Sequence, residues 1–123
     1  MKLTLSSLPH TWILDVDGTI VKHNGYKIDG YDTLLDGVKE WWSHVSHDDQ
    51  ILLLTARKGT AIDDLKSFLQ ANNLWYTHLI GDCPVGERIL VNDSKPSGLK
   101  MAHVVNKDRD ALFNLAFEVD NEI

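Results

Sequence analysis

The chain has 123 residues, 43% of them hydrophobic and 24% charged, with a net charge of −6. That length suits one domain over residues 1–123, and that apolar fraction can fill a core, which excludes a disordered chain. The acidic balance excludes a general binder of nucleic acid or anionic membranes, both of which need basic patches, and no apolar run approaches the roughly 18 residues of a membrane span. The opening, "MKLTLSSLPH", is too short and too broken by polar residues for a signal peptide. Cys83 is the single cysteine, so there is no internal disulfide and no cysteine-based zinc site. Together these features predict a cytoplasmic chain.

In chain order, Trp12–Val16 reads as a strand. A glycine-rich stretch follows, in which the pair Asn24-Gly25 signals a hairpin. Gly37–Ser46 reads as a helix, because Val38, Trp41, Trp42 and Val45 fall at i, i+3, i+4 and i+7, with Asp36 as N-cap. The apolar run "QILLLT", Gln50–Thr55, suits a strand covered on both faces. Thr60 with Asp63 resembles a capping box and opens a helix to about Asn72, with Ile62, Leu65, Phe68 and Leu69 inward. Trp75–Ile80, Arg88–Val91 and Met101–Val105 supply three more strands. Asp108 or Asp110 then starts a terminal helix whose core stripe is Leu112, Leu115, Ala116 and Val119. Phe113 and Phe117 lie on a neighbouring stripe, where they either widen the core contact or form a subunit interface of a homo-oligomer. This alternation predicts an α/β fold with a mostly parallel five-stranded sheet and right-handed crossovers.

In an open parallel sheet, ligands bind beyond the carboxyl ends of the strands. Polar residues stand at three such ends: Asp15, Asp17 and Thr19; Thr55 and Arg57; Asn92, Asp93 and Lys95. Two unit charges about 4 Å apart repel by on the order of 4 kcal/mol at an effective dielectric near 20. Convergence of Asp15, Asp17 and Asp93 therefore calls for a cation, and Mg²⁺, which takes carboxylates, waters and a phosphate oxygen, is the natural candidate.

These residues resemble the haloacid dehalogenase superfamily of phosphotransferases. "DVDGTI" (Asp15–Ile20) matches its first motif, "LLLTAR" (Leu52–Arg57) its second, and "ILVND" (Ile89–Asp93) its fourth. The resemblance covers about residues 11 to 105. It implies a three-layer, Rossmann-like fold, here without a cap domain, since the interval from Ile20 to Thr55 is already filled. It implies an Mg²⁺-dependent phosphomonoester hydrolase acting through an aspartyl-phosphate, on a small phosphorylated substrate such as a sugar phosphate. Asp15 would be the nucleophile and Asp17 the general acid and base. Asp15, the Asp17 carbonyl and the fourth-motif pair, Asp93 with Asn92, would hold Mg²⁺. Thr55, the Ala56 N–H and Arg57 would bind the phosphoryl group. A carboxylate nucleophile suits this chemistry because it needs no activating base at neutral pH.

Two departures stand out. Cys83, in "GDCPVG", occupies the place where a third-motif Lys is expected, so Lys95 is the preferred replacement, with Arg88 and Lys58 as further choices. Asn92 is a neutral amide in an acidic pair. Without a cap, water exclusion falls to Val21–Leu35, where His23, Asn24, Tyr26 and Lys27 are candidate substrate contacts. The competing class is a module that binds metal and phosphosugar without efficient turnover, or a receiver-like domain with Asp82 as phosphoacceptor.

Overall fold

The computed structural model describes residues 2–123 and shows an α/β fold with two small parallel sheets. The elements are β1 (Lys2–Leu5), β2 (Thr11–Asp15), α1 (Gly25–Ile28), α2 (Val38–Ser43), β3 (Gln50–Leu54), α3 (Thr60–Ala71), β4 (His78–Ile80) and β5 (Ala116–Val119). One sheet has the order β2-β3-β4, and the other pairs β1 with β5. In the first, Thr11 to Asp15 face Gln50 to Leu54, and Leu52 to Leu54 face His78 to Ile80. Val16 N–H donates to the Leu54 carbonyl and Thr55 N–H to that of Ile80, so the ladder runs one residue past each strand.

The sheet packs hard on one face. Trp12, Leu14 and Val16 alternate inward along β2, and Ile51 and Leu53 are fully buried on β3. Ile13 remains 48% exposed. β3 alternates as well, with Leu52 and Leu54 half-buried, where its continuous apolar run had suggested cover on both faces. α2 buries Val38, Trp41 and Trp42, and Val45 just beyond it completes the expected stripe. α3 buries Leu65 and Leu69. Neither helix takes its expected cap: Gly37 precedes α2 at φ 90° and Gly59 precedes α3, each without a side-chain cap hydrogen bond.

An aromatic cluster binds the end of the chain to this core. Trp41 stands edge-on to Trp12 at 5.1 Å and to Phe113 at 5.2 Å, and Phe117 lies 5.0 Å from Trp12. Phe113 and Phe117 therefore turn inward. Asp49 supports the same corner, accepting from Trp12 Nε1 at 3.0 Å and His10 N–H at 2.9 Å.

The second half of the chain departs from expectation. Between Ile80 and Ala116 no helix or strand forms, so the strands expected at Arg88–Val91 and Met101–Val105 are irregular chain. Ile89 and Val91 are 86% and 90% exposed; without a neighbouring strand their burial gives no return for ordering the backbone. The expected terminal helix is replaced by β5. Asp110 adopts a left-handed φ of 61°, which breaks a helix at its start, and Phe113 N–H donates to the Asp36 carbonyl. The five strands are thus divided between two sheets instead of joined in one, and β1 had no counterpart in the expected order.

Candidate functional site

β2 ends in a tight turn. The N–H groups of Thr19, Ile20 and Val21 converge on the Val16 carbonyl, and Gly18 N–H donates to the Val21 carbonyl at 2.8 Å. Gly18 has a φ of 85°, and a Cβ there would meet Arg109 Cγ at 3.1 Å, so this position needs glycine on both counts. The turn holds Asp15 and Asp17 at the carboxyl end of β2, beside Thr55 at the end of β3.

The acids are individually engaged. Asp15 accepts from the Thr19 hydroxyl at 2.9 Å and from Arg88 Nη1 at 3.2 Å. Asp17 accepts from the Thr55 hydroxyl at 2.8 Å on one oxygen, and from Arg57 Nε and Nη2 at 3.0 and 2.8 Å on the other. The Thr55 hydroxyl also accepts from Arg57 N–H at 3.1 Å, which ties the residue after the strand to its end. Arg57 continues to Asp32 through Nη1 and Nη2 at 3.0 and 2.7 Å, and its guanidinium carbon sits 3.8 Å from the Tyr26 ring centre. Burial works against this charge, but the hydrogen bonds that Arg57 donates to Asp32 and Asp17, together with their negative charges, outweigh it and hold the Arg57 pKa above its ordinary value.

The loop Val21–Leu35 folds over the turn. Lys22 N–H donates to the Thr33 carbonyl and Leu35 N–H to that of Ile20, closing a hairpin-like loop with α1 near its tip. Asn24 takes a left-handed φ of 56° ahead of α1, so the Asn-Gly pair starts a helical turn instead of a two-residue hairpin. Tyr26 meets Arg57, and Lys27 stacks near the Tyr26 ring at 5.7 Å. His23 N–H donates to Asp110 at 2.7 Å, and its Nδ1 is buried without a partner. Lys107 Nζ lies 3.4 Å from the Gly18 carbonyl, and burial lowers its pKa.

The structure therefore brings together Asp15, Asp17, Thr55, Arg57 and Tyr26 from among the expected residues. It does not bring Asn92 and Asp93 to them as side-chain partners. Both are exposed, and the Asn92 amide donates to the Asp93 carbonyl at 3.2 Å. Among the described residues, no group of three or more His, Cys, Asp or Glu side chains could hold a metal ion. As arranged, Asp15 and Asp17 are each engaged by a basic and a hydroxyl group. Arg57 supplies positive charge at Asp17.

Lys95 is exposed, and its backbone closes a turn with Leu99, whereas Arg88 reaches Asp15. The strand expected to begin at Arg88 does not form, which leaves this side chain free to reach Asp15. Ala56 is exposed beside the buried Thr55 and Arg57. The Asp82 side chain is 73% exposed, and among the described residues its one ionic partner is Lys58, at 4.0 Å, which is little support for a receiver-like acceptor. Asp32, Lys107 and Asp110 were not among the expected residues. The one signal for Asp32 was indirect: an arginine that follows a buried strand needs an acidic partner.

Two clefts, of about 340 and 580 Å³, lie on other faces, around Trp42 and Trp75 and around Trp41 and Phe117. Among the described residues, no helix is long and apolar enough to cross a membrane. No family model, curated protein or solved structure matches this chain.

Proposed function

We propose that the chain is a phosphomonoester hydrolase of the haloacid dehalogenase type, acting through an aspartyl-phosphate on a sugar phosphate or similar small metabolite in the cytoplasm. The observation that carries this reading is the turn after β2: a parallel strand ends in Asp15 and Asp17, and its neighbour ends in a buried Thr55 that donates to Asp17. In the proposed reaction an Asp15 oxygen attacks phosphorus as the bond from phosphorus to the ester oxygen breaks. A proton taken up by Asp17 from solvent passes to the departing oxygen. Water then attacks the phosphorus of the aspartyl-phosphate, Asp17 takes the proton, and inorganic phosphate leaves with Asp15 restored. Arg88, paired with Asp15, offsets the charge of the incoming phosphate.

Mg²⁺ and the three-layer, Rossmann-like sheet belong to the same proposal. Asp15 and Asp93 would hold the ion. The ion, when bound, supplies neutralisation of the phosphate charge. The test is release of phosphate from a panel of phosphomonoesters, with and without Mg²⁺. The expected result is Mg²⁺-dependent turnover that Asp15→Asn abolishes while leaving the circular dichroism spectrum unchanged. Undiminished turnover in Asp15→Asn sinks the mechanism.

A second reading is favoured by the pinning of both Asp17 oxygens: a module that binds a phosphosugar without efficient turnover. It predicts thermal stabilisation by phosphorylated sugars with no phosphate released.

A further inference from the structure

The Arg57 side chain is 1% exposed and that of Asp32 3% exposed, so this pair lies out of water. One planar guanidinium presents Nη1 and Nη2 to Asp32 and Nε and Nη2 to Asp17. Tyr26 lies against its face. Asp32 and Tyr26 both belong to the Val21–Leu35 loop, whereas Arg57 follows β3 and Asp17 follows β2. A fork held on two edges and one face has a single orientation, which a point-charge ammonium could not reproduce.

We infer that Asp32 is a positioning residue: it fixes the Arg57 plane, and through it the Asp17 carboxylate, so the alignment of the proton-donating acid depends on the loop that covers the site. The functional half of this inference rests on the hydrolase reading; the structural half does not. The loop needs no contact with the reacting atoms to act. Losing the Asp32 edge frees the guanidinium to rotate, and Asp17 then loses the two donors that converge on its Oδ1.

The experiment uses the full chain labelled with ¹⁵N, in which the Arg57 Nε–H signal is assigned by its loss in Arg57→Lys. Solvent exchange of that proton is measured in the unsubstituted protein and in Asp32→Asn. The expected result is exchange faster by about tenfold or more, the scale of a lost charge-assisted hydrogen bond. On any phosphomonoester that the protein turns over, Asp32→Asn should lower kcat about tenfold and leave KM within about twofold, the pattern of an interaction that matters in the transition state. Unchanged exchange overturns the inference whether or not the protein is a hydrolase. Faster exchange with kcat unchanged also overturns it. Faster exchange in a protein that turns over nothing retains the structural half and sinks the hydrolase reading alone. Where Asp32→Asn fails to fold, Asp32→Glu carries the same comparison, because its extra methylene displaces the carboxylate from the fork.

Discussion

A guanidinium out of water is tolerable only where carboxylates face it, and Arg57 has two. Removing it leaves Asp32 as a buried charge without its partner. Arg57→Met should therefore lower unfolding free energy by about 3–5 kcal/mol, read from urea denaturation, even though the new side chain is of similar length. At this scale the sequence was informative about one half of each pair. Asp15, Asp17, Thr55 and Arg57 stood out because they end apolar strands. Asp32 and Asp110 could not be found that way, since what they touch is decided by how two loops fold back, and loop geometry leaves no periodic signal. Arg88 shows the same limit in reverse, being reachable by Asp15 only because the segment around it is irregular.

Helices and strands with a strong local pattern formed where expected. α3 spans Thr60–Ala71, and the tryptophan stripe of α2 is buried, because spacings of three and four residues place those side chains on one face. The patterns that failed were those needing a distant partner. The run Ile89–Val91 has strand composition but no strand beside it, and the stripe from Leu112 gave way to the pull of Phe113 and Phe117 toward the tryptophans. Gly37 is the hinge of that competition. Its φ is 90°, and an added Cβ would collide with the Phe113 carbonyl. Gly37→Ala should cost about 1–3 kcal/mol and speed amide exchange of Phe113 first, measured by hydrogen exchange.

The β1–β5 pair carries its own acid sensitivity. The Lys2 ammonium, 2.9 Å from Glu118, donates to it and holds its carboxyl below the ordinary value of 4.5. A lowered carboxyl pKa means that the stabilisation is complete above about pH 4.5 and fades as pH falls through the folded value. Both side chains are more than half exposed, so the effect is small. Carboxyl ¹³C titration should show Glu118 shifting upward toward its ordinary range in Lys2→Met.

Taken whole, the chain exposes 8192 Å², against about 6,700 Å² for a folded monomer of 13.9 kDa. The surplus fits the irregular stretch after β4, where Val85, Ile89, Val91 and Val104 are all more than 70% exposed. A ligand that gathers this stretch would stabilise the molecule strongly. If Asp93 joins Asp15 around Mg²⁺, a concentration one hundred times Kd should add about 2.7 kcal/mol and slow amide exchange at Ile89 and Val91. An unmoved thermal midpoint and unprotected amides across a Mg²⁺ titration would remove the ion from the proposal.

The pairing of β1 with β5 has a consequence for how the molecule comes into being. Lys2 lies beside Ala116 and Leu5 beside Val119, so the earliest strand and the latest are neighbours. On a ribosome adding roughly 5–20 residues per second, Leu3 and Leu5 wait about 6–23 s for the strand that covers their edge. The β2-β3-β4 sheet can assemble on the nascent chain during that interval, whereas β1 stays open to mispairing until Val119 has emerged.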